Sequence, residues 1–509
     1  MKKINTLVFI VCCLLAFSVQ AQRYLTPVFT DVDVTQDKTY GVNATVLLLP
    51  VFSEAVPRPL VADVYEPQGD NEDARPVVLV FHTGNFLPHP QNGGTGGTLR
   101  DSTVVETCTR LAKMGYVAMA IDYRLGWNPI APTQDERVFT LINAAYRGIQ
   151  DARTAIRYLK KDVRDNNNQF GIDTSKMVVW GIGTGGYITA GANTLDTYTE
   201  ILLPKFITTD GMGNPFPMVI EGINGNIYGT SVGIVPPGYP GFPAGDTLCY
   251  PNHVTYQDGG LIGSDYQMTV NMGGALGDTS WINPGESPWV SFHSVNDSFA
   301  PYVEGTVLVP VLELPVVEVQ GSYLAQKLQN ELGNNAPFAD ATFIDAYSAE
   351  ADLRNDGYEG LYPFLTNEGA PWDFWANDNP NSPGPSPTAL ARTYFDTIMN
   401  YYAPRACLTL DLGCDLSGFI VGTEDVIPVF EVGLQTVPNP ATESIMITTN
   451  DEYPVLDLQV YDFNGRLMHT FQGIKNNRFE LNRGNVPAGM YLLKARFEKG
   501  VTTTKIMFK

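Results

Sequence analysis

The alternation of wholly apolar strand segments with amphipathic helices constrains the fold of this chain most. Residues 77–81 read Val-Val-Leu-Val-Phe after Pro76, and residues 116–121 and 177–180 are similarly apolar, which is typical of strands buried on both faces. Between them, apolar residues recur at steps of three and four and form one helix face: Ile142, Ala145, Ile149, Ala152, Ile156 and Leu159. This order predicts an α/β domain with a doubly wound, mostly parallel sheet.

Residues 206–263 interrupt this pattern with a segment rich in glycine and proline. Residues 235–245 read Val-Pro-Pro-Gly-Tyr-Pro-Gly-Phe-Pro-Ala-Gly, and such a run excludes regular structure because proline lacks a backbone donor. We interpret it as an insertion, either a lid beside a pocket or a passive surface loop. A second Pro/Asn-rich stretch, residues 377–387, precedes an amphipathic helix over residues 389–402.

The C-terminal segment after Pro428 has the pattern of short strands. Residues 456–462 alternate with period two, Asn464-Gly465 predicts a tight turn, and residues 490–497 and 501–508 predict further strands. We expect a small β-sandwich. The predicted organisation is a signal peptide (1–21), a large domain (22–405), a linker (406–429) and a small domain (430–509).

The N-terminus predicts export. Lys2 and Lys3 precede an apolar run over residues 7–17, and Val19-Gln20-Ala21 supplies small residues for cleavage, as in a secretory signal peptide. No later run approaches the ~18 uninterrupted apolar residues of a membrane-spanning helix. The mature chain is therefore expected to have no transmembrane segment.

Charge and cysteine content exclude several classes of function. The net charge of the 509 residues is −22, and a polyanion disfavours nucleic acid as a partner. From Phe430 onward, nine basic residues face eight acidic ones, so the acidity belongs to the large domain.

No Cys/His spacing indicates a metal site or a cofactor. Asp373 and Asp378 lack the spacing of an EF-hand, and we expect them to be solvated. Cys407 and Cys414 are close enough in sequence for a local disulfide in an exported protein, whereas Cys108 falls on an apolar helix face and predicts a buried thiol.

Four segments near the C-terminus carry a family resemblance: residues 437–440 (Val-Pro-Asn-Pro), 460–465 (Val-Tyr-Asp-Phe-Asn-Gly), 486–491 (Val-Pro-Ala-Gly-Met-Tyr) and 504–506 (Thr-Lys-Ile). Together they resemble the type A C-terminal sorting domain of the type IX secretion system. The resemblance implies the type IX machinery as a partner. It also implies a Gram-negative source and release from the cell or attachment to its outer surface.

An ordered set of segments in the large domain carries a second resemblance: residues 60–67, 78–86 (VLVFHTGNF), 120–125 (AIDYRL), 150–153 (QDAR), 180–187 (WGIGTGGY) and 294–302. Together, over residues 60–402, they resemble the α/β-hydrolase superfamily, in particular its carboxylesterase and lipase-like branch. The resemblance implies a nucleophile elbow, Gly-x-Ser-x-Gly, on a strand-to-helix turn. It also implies an oxyanion hole of backbone N–H groups and a histidine oriented by an acid.

The catalytic serine of that family is missing here. The elbow reads Gly181-Ile-Gly-Thr-Gly185, which places Gly183 at the nucleophile position, and Thr184 is a weak alternative because its frame loses the leading glycine. The backbone groups of Gly84, Asn85 and Thr184 remain for oxyanion-type binding of an anionic or carbonyl ligand. His82 is expected to shape that loop.

The catalytic histidine is missing as well. The chain has five histidines, and the segment where the resemblance implies the base, residues 367–372 (Asn-Glu-Gly-Ala-Pro-Trp), contains none. His469 lies in the sorting domain, and His293 is expected to be structural. Asp297 is retained at the position of the triad acid.

Three hypotheses follow. The first is a non-catalytic pseudo-hydrolase that binds a small-molecule, glycan or ester ligand, because losing the nucleophile alone costs about 10⁶-fold in rate. The second is an ester hydrolase with a relocated nucleophile, with Ser294, Ser298 or Thr184 as candidates and Asp297 or Glu368 as base. The third is a surface adhesion or glycan-binding module that uses Trp127, Trp372, Trp375 and Tyr239.

Overall fold

The computed structural model describes residues 23–89, 91–92, 96–210, 212–309, 312–375, 386–420, 427–462, 466–498 and 500–509. The predicted signal peptide, the Asn464-Gly465 turn, Asp378 and most of residues 377–387 lie outside them. The chain forms two compact units. The first comprises the residues up to Pro337 and Arg354–Cys414, and the second comprises Phe338–Leu353 and Asp415–Lys509.

An eight-stranded mixed sheet forms the centre of the first unit. Its strands are β1 (Val32–Thr45), β2 (Val56–Pro67), β3 (Arg75–Phe81), β4 (Val117–Ile121), β5 (Ile172–Ile182), β6 (Met268–Met272), β7 (Trp289–Ser294) and β8 (Leu361–Phe364). They lie in the order β1-β2-β4-β3-β5-β6-β7-β8. Pairing is antiparallel at β1–β2 and β2–β4 and parallel from β4 to β8. The predicted doubly wound, mostly parallel sheet is thus confirmed.

The burial of the central strands explains their composition. Every residue of β3, β4, β6 and β7 is buried, because crossover helices cover both faces of a parallel sheet. The long helices are α1 (Ser102–Met114), α2 (Gln134–Asp165), α3 (Thr184–Thr194), α4 (Ser322–Glu331) and α5 (Thr388–Thr409). Helix α2 carries the predicted apolar face and begins at a capping box formed by Thr133 and Glu136.

A buried ion pair joins two of the segments that carry the hydrolase resemblance. Arg124 follows β4, Asp151 lies on α2, and the two side chains are fully buried with a closest N–O distance of 2.9 Å. Arg124 also donates to Gln150 Oε1 and to the carbonyl oxygen of Leu248. The pair therefore fixes the β4 loop, helix α2 and the insertion to one another.

The predicted insertion contains little regular structure, as its proline content requires. Its described elements are short: helix Glu221–Asn224 and the strand pairs Ile207–Thr209 with Pro215–Pro217 and Gly233–Ile234 with Thr247–Cys249. The first unit also contains an antiparallel hairpin of strands Glu304–Leu308 and Pro315–Gln320, here called the 304–320 hairpin. Further short helices are Leu49–Phe52, Tyr198–Ile201, Pro204–Phe206, Thr279–Trp281 and Ala336–Ala339.

The second unit contains two antiparallel sheets. Its strands are β9 (Gln435–Val437), β10 (Ser444–Thr448), β11 (Asp457–Tyr461), β12 (Leu467–Phe471), β13 (Arg478–Asn482), β14 (Gly489–Phe497) and β15 (Gly500–Phe508). The sheets have the orders β9-β10-β13 and β12-β11-β14-β15. Apolar residues of both sheets form one buried cluster, which is the core of the predicted small β-sandwich. Short helices Ala346–Asp352 and Val429–Val432 complete the unit.

The cysteines behave as the sequence predicts. Cys407 and Cys414 form a disulfide, and Cys108 is a buried free thiol, as is Cys249. Among the described residues, no helix is both long enough and apolar enough to span a bilayer. No group of three or more potential metal ligands occurs among them either.

Candidate functional site

The turn between β5 and α3 has the backbone of a nucleophile elbow. Gly183 has φ 54° and ψ −115°, a region that side chains rarely adopt, and its N–H donates to the Met272 carbonyl at 2.8 Å. A Cβ on Gly181 would overlap the Gly185 carbonyl, and one on Gly185 would overlap the Phe81 carbonyl. The flanking glycines are therefore needed for the close approach of strand and helix.

Thr83 occupies the space that an elbow side chain would need. A Cβ built on Gly183 would overlap Thr83 Oγ1 and lie 2.9 Å from Thr83 Cβ. A serine at position 183 is thus incompatible with the present position of Thr83. The bare α-carbon of Gly183 faces a threonine hydroxyl contributed by the loop after β3.

The loop after β3 holds the predicted oxyanion groups in an unusual conformation. Gly84, Asn85 and Phe86 all have positive φ (123°, 54° and 53°). The Asn85 N–H donates to Thr184 Oγ1 at 3.1 Å, while Trp127 Nε1 donates to the Asn85 carbonyl at 2.7 Å. The Asn85 N–H is therefore engaged within the protein. Thr184 is the first residue of α3, and its N–H therefore has no acceptor within that helix.

His82 lies beneath this loop and does not line the cavity described below. It is fully buried, stacks on Tyr123 with ring centroids 4.3 Å apart, and its Nδ1 donates to the Thr83 carbonyl. Burial lowers the pKa of His82. The imidazole therefore supports the backbone of the loop from the side away from the cavity.

Asp297 follows β7 and points its carboxylate into the protein. Its side chain is 4% exposed, and Oδ1 accepts the N–H groups of Phe299 at 2.7 Å and Ala300 at 3.0 Å. Burial raises the pKa of Asp297 to about 6, against the lowering effect of these hydrogen bonds. The retained acid is thus a carboxyl whose charged form is disfavoured by desolvation.

His293 approaches Asp297 without forming an ion pair. Asp297 Oδ2 lies 3.7 Å from His293 Nε2, but that nitrogen donates to the Ala300 carbonyl at 3.0 Å. Burial lowers the pKa of His293 to about 4, so the ring is neutral and its Nδ1 accepts from Ser322 Oγ at 2.7 Å. His293 is therefore a structural residue here, with both ring nitrogens occupied.

Another glycine faces Asp297 from the segment where a catalytic base was expected. A Cβ on Gly369 would lie 2.7 Å from Asp297 Oδ1, so the residues 367–372 approach the acid closely. Trp372 in the same segment is buried, and its indole N–H has no described partner. No imidazole faces Asp297 from this segment.

The elbow, the loop after β3, Asp297 and Gly369 line one cavity of about 660 Å³, whereas His82 and His293 do not. Its walls are mostly apolar: Phe86, Trp127, Leu141, Ile142, Ala145, Tyr146, Ile149, Ile182, Tyr187, Leu195, Ile201, Phe206, Val219, Met272, Trp281, Phe299, Ala300, Val307, Leu308, Val317, Val319, Ala370 and Trp372. Of the described residues of the insertion (206–263), Phe206 and Val219 are in this wall. The described part of the 304–320 hairpin, which the sequence did not single out, supplies Val307, Leu308, Val317 and Val319.

The other candidates from the sequence are dispersed. Ser298 and Glu368 line the cavity, and Glu368 accepts a hydrogen bond from Ser386. Ser294 is fully buried and is not a lining residue. Of the aromatic residues considered for glycan stacking, Trp127 and Trp372 are inside the cavity wall, while Tyr239 and Trp375 are half-buried elsewhere.

Two polar lining residues that the sequence analysis did not assign to the site are Thr83 and Asp373. Thr83 stands where the related motif has glycine, and this difference could have identified Thr83 from the sequence. Asp373 accepts a hydrogen bond from Thr103. Burial raises the pKa of Asp373 to about 6, with a smaller contribution from the charge of Asp101. The sequence predicts a solvated charge at Asp373, but this residue is only partly exposed and accepts a hydrogen bond from α1, so it is not a freely solvated surface charge.

The strand order, the elbow and the acid loop define an esterase-like α/β-hydrolase domain. Residues 62–203 match the family model BD-FAE, and residues 436–509 match the model described as a secretion system C-terminal sorting domain. The chain therefore combines an α/β-hydrolase domain with a C-terminal type IX sorting domain.

Similar solved structures are those of a thermophilic esterase of the planctomycete Thermogutta terrifontis. Its propionate-bound form is 16% identical, with 71% of this chain and 90% of that chain covered and a TM-score of 0.35. The form phosphorylated by paraoxon is 17% identical, with 72% and 90% covered and a TM-score of 0.34. No curated protein matches the chain.

Proposed function

We propose that the first unit is an exported ligand-binding domain that has the fold and cavity of an esterase but does not turn esters over. The observation that carries this proposal is Gly183, which holds the elbow backbone while Thr83 fills the space of the missing side chain. The glycine at position 369 beside Asp297 supports it, because no base is available there either.

Magnitudes favour binding over turnover. Removing the nucleophile of a serine hydrolase costs about 10⁶-fold in kcat, and losing the base as well adds little. Binding and oxyanion stabilisation alone leave roughly 10³- to 10⁴-fold over water. A cavity of about 660 Å³ is within the usual size range of small-molecule sites. A glycan platform has less support, because the aromatic residues considered for it are buried or half-buried.

An ester hydrolase with a relocated nucleophile is the second candidate. It is favoured by the position of the Thr83 hydroxyl, which takes the place of an elbow side chain, and by Asp297, whose pKa of about 6 suits a general base. In that mechanism, a carboxylate would take the Thr83 proton as the hydroxyl oxygen attacks the ester carbonyl, and the resulting carboxylic acid would return the proton to the departing alkoxide. Water, activated by the same carboxylate, would then hydrolyse the acyl-threonine and release the carboxylic acid product. Ser298 is the other cavity hydroxyl available for this role.

Two assays on the purified full chain separate the candidates. The first follows hydrolysis of 4-nitrophenyl acetate and butyrate, with the Thr83→Ala and Ser298→Ala variants as matched controls. The second treats the protein with paraoxon and measures its intact mass. We expect no paraoxon adduct and no turnover above that of the variants. A kcat above about 1 s⁻¹, the lower range of ordinary enzymes, together with an adduct on Thr83 or Ser298, would replace the binding proposal with the second candidate.

The sorting domain implies that the secretion machinery exports the chain. We further propose that the N-terminal signal peptide directs it across the inner membrane of a Gram-negative cell. The type IX machinery then recognises the C-terminal domain at the outer membrane. The binding domain would act outside the cell, either released or attached to the surface.

A further inference from the structure

The charged side chains that line the cavity all have one sign. Among its described lining residues, the charged ones are Asp297, Glu368 and Asp373, and no lysine, arginine or histidine occurs with them. A cavity that bound carboxylates or phosphates would need cations or several free N–H groups. This wall instead repels anions, and the net charge of −22 on the whole chain adds to that repulsion at long range.

Asp297 lacks a counter-ion although it is almost fully buried. Its side chain is 4% exposed, and only Oδ1 accepts hydrogen bonds from described residues. Neutral His293 directs its Nε2 proton to the Ala300 carbonyl, which leaves Asp297 Oδ2 without a described donor. Burying a carboxylate without a partner is costly. The Asp297 carboxylate is therefore suited to form an ion pair with a cationic ligand.

Aromatic side chains surround the same cavity. Trp127, Tyr146, Tyr187, Trp281 and Trp372 are lining residues, and the faces of such rings attract ammonium and guanidinium groups. Helix α2 and the 304–320 hairpin supply most of the aliphatic wall. The cavity therefore contains acidic and aromatic groups that can bind a cation. It also has an extensive apolar wall that can pack against the apolar part of the same ligand.

We propose that this cavity binds amphiphilic cations, in which an ammonium or guanidinium group is attached to an apolar chain or ring. The inference rests on the proposed binding function and names the ligand class of the same site. Asp297 Oδ2 accepts a hydrogen bond from the cationic head group, and Asp373 and Glu368 add to the negative potential of the cavity. The aliphatic wall packs against the apolar part of the ligand.

Binding of such a cation depends on pH in a defined direction. The pKa values of Asp297 and Asp373 are raised to about 6 by burial, so both carboxyls lose their charge as the pH falls below that value. The other titratable groups near Asp297 are His293, whose pKa is lowered to about 4, Tyr187, whose pKa is raised by burial, and Glu368. Affinity for the cation should therefore fall between pH 7.5 and pH 5.

The test compares three decyl compounds by isothermal titration calorimetry on the full chain: decylammonium, decanol and decanoate, each below its micelle concentration or solubility limit. We expect decylammonium, whose head group has three N–H donors, to bind most tightly and decanoate most weakly at pH 7.5. Asp297→Asn keeps an oxygen for the Phe299 and Ala300 N–H groups. It should weaken the binding of decylammonium about ten- to hundredfold, the range of a charge-assisted hydrogen bond, and leave the binding of decanol unchanged.

Asp135→Asn is the matched control, because Asp135 is exposed in the first turn of α2 and the substitution changes the net charge equally. Asp373→Asn serves as a second test if Asp297→Asn does not fold. Equal binding of all three compounds, or an unchanged cation affinity in both variants, overturns the charge preference and leaves the binding function intact. No binding of any decyl compound together with ester turnover overturns the proposed function itself.

Discussion

At the level of single residues, Gly183 and Thr83 form a compensating pair. The family resemblance implies a side chain at position 183 and a glycine at position 83, and this chain has the reverse. Gly183 retains the elbow backbone at φ 54°, where a glycine avoids the strain that any other residue would carry. The hydroxyl at this point of the cavity is therefore supplied from the loop after β3 instead of from the elbow.

Restoring serine at this position tests the pair. Gly183→Ser should destabilise the first unit, on the order of 1–3 kcal/mol for the strained backbone alone, because its Cβ would overlap Thr83 Oγ1. Adding Thr83→Gly removes the overlapping atoms and should recover part of the loss. Chemical denaturation of the wild type, both single variants and the double variant gives the coupling energy. Additive effects would show that the two side chains do not share one space.

We expect neutralisation of the Asp297 carboxylate to stabilise the folded protein, by an amount that depends on pH. Its pKa of about 6 in the folded protein exceeds the ~3.9 of an unfolded aspartate. The folded state therefore binds the proton more tightly, and this carboxyl lowers stability as the pH rises from 4 to 6. Asp297→Asn should be more stable than the wild type above pH 6, on the order of 1–3 kcal/mol, with the difference shrinking towards pH 4.

Urea denaturation of both proteins at pH 4, 5.5 and 7.5 measures that difference. Because the other titrating groups are common to both proteins, their effects cancel in the comparison. A variant that is less stable than the wild type at pH 7.5 would mean that the carboxylate has an internal partner. In that case Asp297 would not be the unpaired charge that binding of a cation requires.

At the level of elements, hydrophobic pattern alone predicted the three strands at the centre of the eight-stranded sheet. The buried runs became β3, β4 and β5, and the apolar face over residues 142–159 became part of α2, because burial on both faces leaves no alternative composition. The 304–320 hairpin was not predicted, since its strands are short and only partly buried. Its role in the cavity depends on tertiary contacts that no local pattern records.

The site was only half predictable for the same reason. Gly183 and Asp297 were identified because each falls within a segment of recognisable order. Asp373 was missed, because its burial arises from packing against α1, which is distant in sequence. The hydrogen bond from the Asn85 N–H to the Thr184 hydroxyl likewise joins the loop after β3 to the start of α3, whereas the sequence treated this N–H as a free donor.

We expect alanine substitutions at two glycines, Gly181 at the β5–α3 connection and Gly222 in the insertion, to differ sharply in their effect on stability. Gly181→Ala should destabilise the unit by several kcal/mol, because its Cβ would overlap the Gly185 carbonyl and backbone atoms cannot move aside cheaply. Gly222→Ala is the control: its Cβ would meet nothing within 4 Å, and alanine favours helix Glu221–Asn224. Thermal unfolding should show a large loss for the first and little change for the second. Similar melting temperatures would argue against the close approach of β5 and α3.

At the level of the whole molecule, two family models match separate parts of one chain. Removing residues 436–509 should abolish delivery to the cell surface or medium in a host with type IX machinery, because the sorting domain is the signal that this machinery recognises. Immunoblots of cell, surface and medium fractions measure the outcome. Internal accumulation is expected for the truncated chain, and surface delivery without these residues would show that export depends on another segment.

The tryptophan residues in the cavity wall also make ligand binding detectable by intrinsic fluorescence. Three of the six tryptophans in the chain, Trp127, Trp281 and Trp372, line the cavity. A guest that displaces solvent there changes the polarity around half of the indole fluorophores at once. Screening a chemical library for shifts in intrinsic emission therefore requires neither a label nor a coupled reaction, and it works for guests of any chemical class that the protein meets outside the cell.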